Sequence, residues 1–291
     1  MNEFETRQQR RRARKRQQRR RRRIFLLTLS GLLAVIAFAL LFKPNQNIPM
    51  IKPEDTQVEA EAVKPEDMQV IYPQPAEKEA DLLKAAKISD GVRTCYLTFD
   101  DGPTKSVTPR VLDTLRRYQV KATFFMVGSL IEQNPDMARR VYDEGHFLAN
   151  HSYSHSYSKL YANETDFMNE INITYDLIAG IEGKSVKNRI FRFPGGGYNA
   201  GTWGANKQIY KGKLAENGIR YCDWNALNGD AEGGTRTAAE LLERVKKTTG
   251  AEDVVILMHD AAAKSTTADA LPQVIEYLIG QGFVFKTLAQ I

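Results

Sequence analysis

Between Val92 and the C-terminus, seven short runs rich in β-branched and aromatic residues alternate with six longer stretches of helical period. The short runs read as buried strands and the longer ones as amphipathic helices, because one pattern fills both faces of a pleated strand and the other only a stripe. Strands are expected at Cys95–Phe99, Ala122–Val127, Phe147–Ala149, Ile190–Phe193, Ile219–Cys222, Val254–Met258 and Phe283–Phe285. Helices are expected at Thr108–Tyr118, Pro135–Glu144, Asp166–Ile181, Gln208–Asn217, Ala238–Thr248 and Ala268–Ile279. Repeated βα units build a parallel sheet, either closed as a barrel or open and doubly wound. The polar residues discriminate. Asp100 and Asp101 follow the first strand, His151 and His155 the third, Arg192 ends the fourth and His259 the sixth. Residues from separate strands meeting at their carboxyl ends are what a barrel face provides, whereas an open sheet concentrates its site at one switch point. An α/β barrel of seven or eight strands is therefore expected over residues 91–291.

The N-terminal third has another character. Residues 1–23 hold twelve Lys and Arg against two Glu, a net of +10, so that with +6 for the whole chain residues 24–291 carry −4. The basic excess is local and does not mark the domain as a nucleic-acid binder. Residues 24–42, IFLLTLSGLLAVIAFALLF, are uncharged over a length that matches the hydrocarbon core of a bilayer as one transmembrane helix. Arginines immediately before it predict a cytoplasmic N-terminus and an extracytoplasmic remainder, a single-pass arrangement in the cell membrane. A cleaved signal peptide is the alternative, but the small-x-small candidate Ala37-Phe38-Ala39 lies inside the apolar run, and Arg22-Arg23 leaves a twin-arginine export route open. Residues 43–90 hold six of the 11 prolines among acidic residues, and KPEDTQV at Lys52 recurs as KPEDMQV at Lys64. Such a segment reads as an extended linker. Two cysteines, Cys95 and Cys222, are too few for a disulfide framework and read as buried small hydrophobes, with a single bridge between them left open.

Two of the four histidines form His151-Ser-Tyr-Ser-His155, an i, i+4 spacing that one helical turn places on one face and that suits a divalent metal. A solvated Ser/Tyr-rich loop is the competing reading. In FDDGP the adjacent acids Asp100 and Asp101 point in different directions, so one can bind metal while the other faces a reacting centre; a plain turn or helix cap is the competing reading.

Together, TFDDGP at Thr98–Pro103, HSYSH at His151–His155, RFPGG at Arg192–Gly196 and LMHD at Leu257–Asp260 resemble the motifs of the NodB-homology polysaccharide deacetylases, carbohydrate esterase family 4. The four occur in family order, and the resemblance covers about residues 93–291. It implies a distorted (β/α) barrel and one divalent ion, zinc in the first place with Co, Ni or Mn compatible, held by Asp101, His151 and His155. It further implies Asp100 as general base, Arg192 holding that base, and His259 as the acid that protonates the departing amine. Gly195 would offer a backbone N–H to the oxyanion, and Leu257 would line the acetyl pocket. The resemblance also calls for an acid followed by Trp after the fifth strand. Two matches are offered, Asp223-Trp224 at the strand end and Asp230-Ala231 after the loop; aligning the strand and its loop favours Asp230 as the carboxylate partner of Arg192, with Ala231 in place of the indole and Trp224 as a partial substitute.

The expected function is metal-dependent removal of N-acetyl groups from N-acetylglucosamine units of a cell-surface polysaccharide, with peptidoglycan the first choice and no nucleic-acid partner. An O-acetyl esterase of the xylan type, or a non-catalytic wall-carbohydrate-binding protein on the same fold, are the alternatives.

Overall fold

The computed structural model describes residues 81–85, 91–198 and 201–291. The basic segment expected at 1–23, the transmembrane helix expected at 24–42 and the linker up to residue 80 lie outside the described residues. Among the described residues no helix is long and apolar enough to cross a membrane.

Eight strands form one sheet: β1 (Thr94–Gly102), β2 (Thr123–Met126), β3 (Phe147–Asn150), β4 (Ile190–Phe191), β5 (Arg220–Tyr221), β6 (Ala226–Leu227), β7 (Asp253–His259) and β8 (Val284–Phe285). The order is β5-β4-β3-β2-β1-β7-β6, with β8 pairing the start of β1, and every pairing is parallel. Strands β5 and β6 stand at opposite ends of that order although only four residues separate them in sequence. The sheet therefore curls into a distorted barrel with a seam between β5 and β6. Nine helices accompany it among the described residues: α1 (Leu82–Ala85), α2 (Thr108–Tyr118), α3 (Gly128–Gln133), α4 (Pro135–Asp143), α5 (Tyr157–Leu160), α6 (Glu164–Glu182), α7 (Gly204–Glu216), α8 (Ala238–Thr248) and α9 (Ser265–Gly280).

Period-two alternation sorts the strand residues into two cores. Cys95, Leu97 and Phe99 of β1, Phe124 and Met126 of β2, and Val254, Ile256 and Met258 of β7 pack in the larger cluster with the helices. Tyr96, Phe125, Ala149, Ile190, Cys222 and Val255 fill a second, smaller cluster on the other face, inside the barrel. The same alternation carries Thr98 and Asp100 on β1, and Leu257 and His259 on β7, to the inner face. Register sets Asp100 beside His259. Both cysteines are buried free thiols and do not pair.

Helices α2 and α8 have the bounds expected from sequence. For α8 the reason is visible: Thr237 caps the Glu240 N–H, and the Glu240 carboxylate accepts from the Thr237 N–H, a reciprocal capping box. Strand β6 and the short helices α3 and α5 were not expected, because two to six residues do not sustain a period. Strand β4 ends at Phe191 rather than Phe193, as the chain turns away at Pro194, which has no N–H to continue a ladder.

His146, just before β3, is structural. Its Nδ1 accepts the Ala122 N–H at 3.2 Å, and burial pushes its pKa down to about 4.

An aromatic cluster ties α6 to β4 and α7. The Phe167 ring stacks on Tyr210 at 4.3 Å and on Phe193 at 5.8 Å, and meets Phe191 edge-on at 5.6 Å. All four side chains are buried. Phe167→Ala is expected to destabilise the domain by ~3–5 kcal/mol through lost contacts and an unfilled cavity, measured as a lower urea midpoint at unchanged slope.

Candidate active site

Asp101, His151 and His155 present donor atoms that lie within 4.8 Å of one another. Asp101 Oδ1 is 3.2 Å from His155 Nε2 and 3.5 Å from His151 Nε2. Local backbone geometry produces this convergence. Simple alternation would throw Asp100 and Asp101 to opposite faces of β1, but the β1–β2 register shifts between Asp100 and Gly102, and Asp101 has φ +69°. A bulge of this kind re-aims one side chain, so both carboxylates reach the same end of the barrel. The histidines converge by a different route from the helical turn expected: residues 151–156 form a loop, with Ser152 at φ +68° and His155 at φ +53°. Three left-handed residues that are not glycine thus lie at or between the presumptive ligands, in a region open mainly to Asp, Asn and His.

The donors fit a divalent cation. Asp101 Oδ1 is buried with no hydrogen-bond partner among the described residues. His151 Nδ1 lies 2.9 Å from the Arg192 carbonyl, which fixes its proton on Nδ1 and leaves Nε2 as the donor atom. Burial pushes the His151 pKa down to about 3, keeping the ring neutral as a ligand must be.

Behind the ligands lies Asp100, whose Oδ1 accepts from Arg192 Nη1 at 2.8 Å. Burial raises the Asp100 pKa, and the Arg192 charge opposes it. Arg192 is itself completely buried. Its Nη1 also donates to Thr98 Oγ1 at 2.7 Å, its Nε to the Cys222 carbonyl at 2.8 Å, and its Nη2 to the Asp223 carbonyl at 3.1 Å. The guanidinium lies over the Phe125 ring at 3.9 Å.

Asp230 does not pair with Arg192 as the sequence led us to expect; it belongs to His259. Its Oδ1 lies 2.7 Å from His259 Nδ1, and its Oδ2 accepts from the His259 N–H at 2.9 Å and from Thr267 Oγ1 at 2.7 Å. The reason is topological. Asp230 follows β6, which pairs with β7, and so lies beside the end of β7, whereas Arg192 stands on the β4 side of the barrel. Burial alone would lower the His259 pKa, but the Asp230 hydrogen bond and charge outweigh it and raise the value to about 9. The Asp230 pKa is correspondingly lowered, its His259 contacts prevailing over burial.

The sequence-predicted residues Asp100, Asp101, His151, His155, Gly195, Leu257 and His259 all line one cavity of about 410 Å³. Arg192 and Asp230 support it from behind. Ala231 and Trp224 line the same cavity, so an indole is present although it comes from the end of β5. Gly195 has φ +73°, and a Cβ there would stand 2.6 Å from the Tyr157 hydroxyl. Gly102 is equally constrained: a Cβ would meet Asp260 Oδ2 at 2.3 Å. Tyr157, Phe193 and Lys264 also line the cavity and were not anticipated. Lys264 sits in AAAKS, where no pattern marks it; Tyr157 follows the second histidine by two residues, the one signal available. For zinc titrated into the full chain and followed by calorimetry, Asp101→Ala and His155→Ala are each expected to weaken binding by more than the roughly 10–100-fold typical of losing an outer hydrogen-bond partner of a ligand.

Residues 87–210 match the family model described as polysaccharide deacetylase. A peptidoglycan-N-acetylglucosamine deacetylase of Bacillus cereus is 34% identical over 203 residues, covering 67% of this chain and 68% of that protein. Among solved structures, a Streptococcus mutans CE4 esterase superposes with a TM-score of 0.64 at 33% identity, over 71% of this chain and 89% of that one. The catalytic domain of peptidoglycan N-acetylglucosamine deacetylase from Eubacterium rectale gives 0.62 at 31% identity, over 69% and 90%. With its four motifs gathered at one barrel end and these relatives sharing both sequence and fold, the chain belongs to the polysaccharide deacetylase family of NodB homology.

Proposed function

We propose that this protein is a metal-dependent deacetylase that removes N-acetyl groups from N-acetylglucosamine units of a cell-surface polysaccharide, peptidoglycan in the first place. The observation that carries the reading is a carboxylate and an imidazole beside a three-donor cation site: Asp100 and His259 are register neighbours on β1 and β7, both facing the cavity that Asp101, His151 and His155 share. When bound, the divalent ion supplies Lewis acidity toward the acetamide carbonyl and toward water. Asp100 accepts a proton from the attacking water, and Arg192 holds its carboxylate in place. Gly195 directs its N–H to the developing oxyanion. His259, protonated and oriented by Asp230, gives its proton to the amine nitrogen as the C–N bond breaks, leaving acetate and a free amine on the sugar. Leu257 and Trp224 bound the acetyl pocket.

The N-terminal sequence supports a location to match. We infer that residues 24–42 span the membrane with residues 1–23 in the cytoplasm, and that residues 43–90 carry the domain outward to its polymer.

Acetate release from chito-oligosaccharides, with acetylated xylan in parallel, tests the reading. Release from the N-acetyl substrate is expected, lost with chelator and with Asp100→Asn; release from xylan alone, or none at all, overturns it. Walls of a deletion strain should contain less glucosamine lacking acetyl than those of the parent.

The pH profile follows from the acid. His259 must be protonated to act, so kcat is expected to hold up to and then fall through about pH 9. Asp230→Asn removes the largest influences that raise this pKa, leaving those of Asp100 and Asp101 while burial remains, so the alkaline limb should move to lower pH. Because the folded pKa of His259 exceeds the ordinary ~6.5, its contribution to stability is complete below that value and is lost as pH rises through about 9.

A further inference from the structure

The turn Pro194–Gly197 is held on every side but one. Gly196 donates its N–H to the Phe193 carbonyl at 2.7 Å, and Gly197 donates to Asp223 Oδ1 at 2.8 Å. From beneath, Tyr161 donates its hydroxyl to the Pro194 carbonyl at 2.8 Å. Lys207 donates to the Gly196 carbonyl at 2.6 Å and lies 3.4 Å from the Pro194 carbonyl. Proline has no N–H, so the one amide of the turn left without an acceptor among the described residues is that of Gly195, which lines the cavity.

We propose that Tyr161 and Lys207 are positioning residues for catalysis, aiming the Gly195 N–H at the reacting carbonyl by holding the opposite edge of its peptide group. The argument rests on the planarity of that group. In a trans peptide the C=O and the N–H point in opposite directions. The Pro194–Gly195 bond is not among the cis peptides, so fixing the Pro194 oxygen inward turns the Gly195 N–H outward. Lys207 is costly to place where it is. The residue is only 6% exposed and burial lowers its pKa, yet among the described residues its ammonium has no carboxylate within salt-bridge distance, and it sits 4.9 Å over the Tyr161 ring. A buried ammonium needs hydrogen-bond acceptors to be tolerated. Those it has are the two carbonyls of this turn, which makes their orientation its structural consequence. An apolar side chain would fill the same space on α7 without holding either oxygen.

This inference rests on the deacetylase reading, and the experiment separates the two. The full chain is assayed on chito-oligosaccharides bearing N-acetyl or N-trifluoroacetyl groups. Tyr161→Phe removes one oxygen and keeps the ring; Lys207→Met keeps the length and removes the donor. Each is expected to lower kcat on the N-acetyl substrate by roughly tenfold or more, below the ~10²–10³ lost with a whole oxyanion donor, while KM changes less than about twofold and zinc affinity is unchanged. The loss should be smaller on the trifluoroacetyl substrate, whose oxyanion is intrinsically more stable and depends less on the donor. An unchanged kcat in Tyr161→Phe, or an equal loss on both substrates, overturns the proposal, and that variant decides alone if Lys207→Met does not fold. A wild-type chain that releases no acyl group from either substrate overturns the deacetylase reading, and this inference with it.

Discussion

A guanidinium buried at the centre of the barrel end organises the rest of this structure. Arg192 uses Nε, Nη1 and Nη2 on four acceptors drawn from β1 and from the chain leaving β5. Two of these acceptors, the carbonyls of Cys222 and Asp223, lie between β5 and β6, where among the described residues β5 and β6 do not pair and no strand ladder takes them up. Unpaired carbonyls buried there would be costly, and a charge buried without partners more so. Each solves the problem of the other. The Arg192 main chain contributes as well, since its carbonyl sets the tautomer of His151. One residue thereby links the seam of the barrel, the Asp100 carboxylate and the His151 imidazole.

Asp100 and His259, the base and acid of the proposed reaction, differ through what surrounds them. Asp100 accepts from the Arg192 guanidinium, whereas His259 is gripped twice by Asp230, through its ring and its backbone. On the proposed reading, two groups on adjacent strands are in this way held ready for opposite proton transfers at one pH.

Much of the fold was legible because strand burial and helix amphipathicity leave periodic traces over five or more residues; Thr108–Tyr118 and Ala238–Thr248 have the same bounds in sequence and structure. The residues that bear chemistry were legible because they terminate those strands. What was not legible depends on contacts between elements. The partner of Asp230 follows from β6 pairing with β7, and β6 is two residues long. The convergence of His151 and His155 comes from backbone angles in a loop rather than from helical spacing. Tyr161, just past α5, and Lys207 on α7 belong to no motif, and only the fold brings both beneath the same turn.

The left-handed backbone at Asp101 and His155 restricts how such a site drifts over evolutionary time. A β-branched replacement at either position would remove a donor and impose steric strain at once, so selection for folding alone would oppose it. Asparagine tolerates the same conformation. A lineage relieved of the need for chemistry would therefore leave by way of asparagine, keeping its architecture while its reactivity lapsed, and a barrel of this shape is by itself no record of whether its owner still reacts.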